Sequence, residues 1–222
     1  MNTCSISRIE DLITSLISSS EISNQIFFID KDVAFTYKDL HSKLEEFEDH
    51  LDLREIQPGT ITAFRGSFDF LSIATLLFLL RKKTIVSLLP EATAPDTIKQ
   101  PPVSHCLQFR DEVLEIEKAS THQDTPHPLV SQLLRKQESG LIFWSSGTTG
   151  QPKAVLHSFE SFSRRFENKP RPVRTAAFMV FDHVGGIYNV LNCLYAKGTL
   201  VRIHDKTPTA LGYLVEKERI EF

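Results

Sequence analysis

The sequence predicts a layered α/β domain with a parallel sheet, and three observations carry that prediction. Strand-like and helix-like apolar runs alternate through the final third of the chain. Between Ile61 and Leu89 a strand, an apolar helix and a second strand follow one another, the order of a βαβ unit. Near the start, Ile6, Ile9, Leu12, Ile13, Leu16 and Ile17 recur at three- and four-residue spacing, one stripe of a helix that ends in Ser18-Ser19-Ser20. That helix is expected to pack on a sheet.

The elements follow in order. Gln25 to Asp30 and Val33 to Thr36 are β-prone runs around Asp30-Lys31-Asp32, a hairpin pattern. Thr36-Tyr37-Lys38-Asp39 places an acid three residues after a hydroxyl, so Thr36 caps a helix with Leu40, Leu44, Phe47 and Leu51 on one face. Pro58-Gly59 stops it. The strand Ile61 to Phe64 leads into a buried helix from near Ser67, then the strand Thr84 to Leu89. Pro90 through Pro128 holds six of the eleven prolines, which predicts long connections around short strands at Val103 to Phe109 and Val113 to Glu117. The final third reads as strand Leu141 to Trp144, helix Ser158 to Phe166, strand Ala176 to Phe181, helix Ile187 to Ala196, strand Thr199 to Ile203 and helix Thr209 to Lys217. Arg219 to Phe222 reads as the start of a further strand.

Composition narrows the function. The chain has 222 residues, 25 basic against 28 acidic, for a net charge of −3, which argues against a basic nucleic-acid binder. With 41% hydrophobic and 24% charged residues it suits one large domain or two small ones, with 1–134 and 135–222 as candidate subdomains. The longest apolar stretch, Phe68 to Leu80, contains Asp69 and Ser72 and falls short of the roughly 18 to 20 residues a membrane span needs. Cys4, Cys106 and Cys193 are odd in number and far apart, so neither a disulfide framework nor a metal knuckle is expected. The N-terminal residues carry no leader pattern, and a cytoplasmic location is expected. His122 and His127 lack ligand spacing and are expected at the surface, no metal site is expected, and Arg164-Arg165 reads as a solvated basic face.

Five of the nine glycines fall between Gly140 and Gly186. The densest stretch is an apolar strand emptying into Ser145-Ser146-Gly147-Thr148-Thr149-Gly150-Gln151-Pro152-Lys153. Two glycines let successive N–H groups turn inward, the hydroxyls add donors, and Lys153 adds a point charge, a combination suited to phosphate oxygens. A polar turn between two strands is the plain alternative. Gln151 and Pro152 separate Gly150 from Lys153, which excludes the Gly-Lys-Ser/Thr succession of a Walker A loop. No Gly-x-Ser-x-Gly elbow occurs either.

This loop resembles, almost position for position, the signature of the adenylate-forming (AMP-binding) superfamily: acyl-CoA synthetases, peptide-synthetase adenylation domains and firefly luciferase. Ala154 stands where many members have glycine. Phe35 to Leu40, Gln57 to Thr62 and Leu79 to Pro90 resemble the family's early segments loosely, with Thr60 in place of the usual acid and Lys83-Thr84 in place of Gly-Ala. Phe181-Asp182-His183-Val184-Gly185-Gly186-Ile187 resembles the segment bordering the family's acyl pocket. The resemblance implies the N-terminal part of the family's large domain, with layered sheets flanked by helices. It implies that Ser145, Ser146, Gly147, Thr148, Thr149, Gly150 and Lys153 hold the ATP phosphates, with Mg2+ sharing the charge. His183, Gly185 and Gly186 would border the acid, although a histidine beside glycines equally suits a helix start.

The family's Tyr-Gly-x-Thr-Glu motif and any Gly-Asp pair are missing from the sequence. So are the hinge and the domain bearing the family's catalytic lysine, and no catalytic residue is assigned here. A fragment or truncated homologue is therefore expected. Two readings follow: part of an ATP-dependent carboxylate ligase, with coenzyme A or a carrier-protein thiol as acceptor, or a catalytically incomplete subunit that binds ligand or depends on a partner.

Overall fold

In the computed structural model, residues 9–90, 102–119, 127–145, 152–166 and 171–221 are described. Helix α1 (Ile9–Leu16) and the single turn α2 (Ser20–Ser23) precede strands β1 (Ile26–Asp30) and β2 (Val33–Thr36). These strands form the expected hairpin, with Lys31 at a φ of 55° in the turn. Helix α3 (Tyr37–Asp49) starts with the expected capping box: Asp39 N–H donates to Thr36 Oγ1 and Thr36 N–H to Asp39 Oδ2. The helix stops short of Leu51. His50 is extended, so Leu51 opens the separate turn α4 (Leu51–Arg54) out of phase with the apolar face, and it is 76% exposed.

Strand β3 (Ile61–Arg65), helix α5 (Phe70–Arg81) and strand β4 (Ile85–Leu88) form the expected parallel βαβ unit. Asp69 caps α5 by accepting from Ser72 N–H, and all but two of the helix residues are buried. Strands β5 (His105–Arg110) and β6 (Val113–Lys118) make an antiparallel hairpin, and helix α6 (Pro128–Lys136) follows. Next come β7 (Gly140–Ser145), β8 (Lys153–Ser158), α7 (Phe159–Ser163) with a 3-10 turn at Arg164–Phe166, β9 (Arg174–Ala177), α8 (Val184–Ala196), β10 (Thr199–Arg202) and α9 (Pro208–Glu218).

The strands form two sheets, ordered β2-β1-β10-β9 and β6-β5-β3-β4-β7-β8. In each the interior pairings are parallel. Each sheet takes strands from both sides of residue 135, so the two halves of the chain interleave. One apolar cluster runs from Phe27, Phe28 and Leu200 of the smaller sheet to Phe64, Val86, Leu141 and Phe143 of the larger, through α1, α3, α5 and α8. Helix α6 covers the opposite face of the larger sheet through Val130 and Leu133, and α9 covers that of the smaller through Leu214 and Val215. The stacking is helix, sheet, helices, sheet, helix, which is the layered α/β class.

Three further expectations are corrected. The stripe of α1 meets helices α5 and α8, because those helices fill the space between the sheets. The strand expected at Ala176 to Phe181 is Arg174–Ala177, and Phe178, Met179 and Val180 are exposed at 51%, 44% and 55%. No strand forms at 219–221, although Glu221 N–H donates to Arg174 O at 2.8 Å along the outer edge of β9.

Candidate functional site

The site begins with β7. Leu141, Ile142 and Phe143 are almost wholly buried, which fixes the strand in the sheet and brings its carboxyl end to Ser145 at the surface. Trp144, the only tryptophan, is anchored on the neighbouring strand by donating from Nε1 to Ser87 Oγ at 3.2 Å. Strand β8 then returns antiparallel along the outer edge, with Ser145 opposite Lys153 and Gly140 opposite Ser158. Ser145 Oγ donates to Lys153 O at 3.4 Å. The glycine-rich loop is thus the connection of a hairpin whose open end is defined by an exposed hydroxyl and an exposed ammonium. Ser146, Gly147, Thr148, Thr149 and Gly150 lie outside the described residues.

The sequence allows a strand after the turn but sets no bounds for β8, whose burial passes from three exposed residues to three half-buried ones without alternating. The face it shares with Phe143 is aromatic. His157 lies 5.6 Å from the Phe143 ring and 5.9 Å from the Phe162 ring, and Arg165 stacks over Phe162 at 4.6 Å. Burial, with Arg165 beside it, pushes the His157 imidazole below its usual range. Arg164 and Arg165 are exposed as expected, with Arg165 packed on an aromatic ring.

The second segment is held at the same edge. Phe181 meets Phe64, near the carboxyl end of β3, and Phe68, just ahead of α5, in edge contacts at 6.2 and 5.6 Å. His183 follows as the N-cap of α8, its Nδ1 accepting from Gly185 N–H at 3.3 Å. Gly186 has a steric reason: a Cβ there would lie 2.0 Å from Val180 O. At Gly185 the nearest obstacle is the flexible end of Met179, at 2.9 Å. The register Phe64 to Leu88 and Ser87 to Ile142 puts the ends of β3, β4 and β7 on one edge; the loop leaves β7 there, and Phe181, which follows β9 of the other sheet, packs on Phe64 near the end of β3. Ligands of α/β sheets bind at that carboxyl edge.

At the end of the ladder Ser145 and Lys153 set a hydroxyl and a cation side by side, groups of the kind that suit a phosphate oxygen. The described residues include no group of three His, Cys, Asp or Glu side chains able to hold a metal, so no protein ligand set for Mg2+ is assigned. His127 is exposed and caps α6, while His122 lies outside the described residues. Cys106 and Cys193 are free thiols, and burial pushes Cys193 up to about 12. Among the described residues no helix is long and apolar enough to cross a membrane.

The sequence model of the family described as AMP-binding enzyme matches residues 71–222. The chain belongs to this family. No curated protein matches it in sequence. Among solved structures, this family member is similar to o-succinylbenzoate CoA synthetase (MenE) from Bacillus subtilis in complex with the acyl-adenylate intermediate OSB-AMP. The TM-score is 0.72 at 12% identity, over 95% of this chain and 60% of that one. It is also similar to the inhibitor-bound N-terminal domain of FACL13 from Mycobacterium tuberculosis, with TM-score 0.71 and 15% identity over 96% and 61% of the two chains. The AMPPNP-bound form of the nonribosomal peptide synthetase FmoA3 gives 0.66 at 16% identity, over 100% and 26%. At these identities the likeness shows the fold, and the chain spans about 60% of the length of the first two.

Proposed function

We propose that this chain receives ATP and a carboxylic acid as the N-terminal portion of an adenylate-forming ligase of the cytoplasm. The observation that carries the reading is the Ser145–Lys153 pair at the mouth of the hairpin, in a chain whose family binds AMP. In the proposed reaction an oxygen of the substrate carboxylate attacks the α-phosphorus. The bond to the leaving pyrophosphate breaks, and acyl-adenylate and pyrophosphate form. Lys153, Ser145 and the loop residues Ser146, Gly147, Thr148, Thr149 and Gly150 would hold phosphate oxygens, so their contribution is positioning and charge stabilisation. Mg2+ bound with ATP would supply further charge neutralisation. His183, Gly185 and Gly186 would border the acid, and coenzyme A or a carrier-protein thiol would be the acceptor.

The span of about 60% of MenE and of the N-terminal domain of FACL13 favours a companion reading, in which the 222 residues bind ligand but need further polypeptide to adenylate. Groups that act together in a transition state are lost together, so little activity is expected from the chain by itself. The test is carboxylate-dependent exchange of labelled pyrophosphate into ATP with fatty, aryl and amino acids. It is run on the chain alone and with the remaining part of a homologous ligase added as a separate polypeptide. Exchange only on addition supports both readings, exchange by the chain alone overturns the companion reading, and failure to bind ATP in calorimetry overturns the first.

A further inference from the structure

At the end of the β7–β8 hairpin opposite the loop, the polar groups are unusually poor in partners. Five buried side-chain polar atoms among the described residues lack a hydrogen-bond partner, and three of them are Glu138 Oε2, Ser139 Oγ and Glu160 Oε2. Pairing of the two strands brings these residues together. Glu138 and Ser139 lead into β7, and Glu160 lies just after β8 in the first turn of α7. Phe159 N–H donates to Ser139 O at 2.9 Å, and Ser139 N–H reaches Glu160 Oε1 at 3.4 Å. Ser139 is only 1% exposed.

A buried carboxylate oxygen without a donor is costly, and groups so placed take up a proton instead. We propose that Glu160 carries a proton as part of the folded chain and that this proton keeps the base of the hairpin closed. Protonated, Glu160 removes its own charge from this corner; ionised, it faces like charge. The charged neighbours are Glu138 ahead of β7 and Glu10 on α1. Burial is the largest influence raising the Glu160 carboxyl above the usual range, and those two carboxylates add to it. Its own backbone N–H and that of Ser139 oppose the rise.

The experiment is a carbon-detected NMR titration of the glutamate carboxyls in the full chain, with amide exchange read at Ser139 and Phe159 and corrected for intrinsic rates. The Glu160 carboxyl is expected to titrate above ordinary glutamates, and protection at both amides is expected to fall as it ionises. Glu160→Gln, which stays neutral, should hold that protection constant across the range. Glu138→Gln, which removes a like charge, should move the Glu160 titration down. Titration of Glu160 at or below the ordinary range overturns the proposal, as does an unchanged pH dependence of protection in Glu160→Gln. None of these readings depends on ATP, so they stand or fall apart from the proposed activity.

Discussion

Ser145 and Lys153 face each other across the last rung of the β7–β8 ladder, with the serine hydroxyl donating to the lysine carbonyl at 3.4 Å. The lysine's own backbone is therefore fixed by the sheet while its ammonium stays in solvent. A cation on a rigid strand end loses less freedom on binding than one on a free loop, which suits it to a phosphate.

Replacing Lys153 with alanine should weaken ATP binding roughly 10- to 100-fold, the size of one charge-assisted contact. Calorimetry on the parent and variant measures it. Equal affinities would remove Lys153 from the site.

Gly186→Ala should destabilise the fold by about 1–3 kcal/mol, because the added carbon meets Val180 O at 2.0 Å and the chain must shift. Gly212 provides the contrast. It lies within α9, a Cβ added there would meet nothing within 4 Å, and alanine should stabilise by about 0.5–1 kcal/mol. Thermal unfolding of both variants decides the matter; a Gly186→Ala variant as stable as the parent would contradict the close approach.

Acid stability should depend on His105. The residue is 7% exposed, Nε2 has no partner, and burial, with Lys118 nearby, holds the imidazole below its ordinary value of 6.5, against a smaller pull from Glu55. The unfolded chain then binds the proton more readily, so the stability is fully present above about pH 6.5 and is lost as pH falls through the lowered folded value. His105→Gln should flatten the fall in melting temperature between about pH 7.5 and about pH 5. The same fall in both proteins would assign it to other groups.

Ser87→Ala should leave the Trp144 indole N–H without its acceptor and cost about 1–3 kcal/mol in denaturant unfolding. Since Trp144 is the only tryptophan, its emission should also report the change. An unaltered emission maximum would show that the bond does not hold the ring.

Much of the architecture is legible in the sequence because its signals are local. The Thr36 capping box, the Lys31 turn and the apolar run of α5 each declare themselves within a few residues. Two errors are also local in origin. Phe178-Met179-Val180 reads as strand by composition, yet the β9 ladder ends at Ala177. There Phe178 N–H turns back to Ala176 O, and the Asn189 amide takes the same carbonyl at 2.7 Å, which closes that outward position of the edge. Leu51 fits the stripe of α3 only if the helix continues through His50, and it does not.

The α/β class, the caps, the phosphate-suited composition of the loop and the family resemblance are all readable from residue order, since each depends on residue type at short spacing. That α1 meets helices, that β10 lies between β1 and β9, and that Gly186 abuts Val180 emerge from the packed chain alone. So does the buried corner that Glu138 and Glu160 share. The physical reason is that these are pairings between distant parts of the chain. Phe28 sits beside Leu200, and Tyr37 donates its hydroxyl to Gly198 O at 2.7 Å, contacts that no short window of sequence contains.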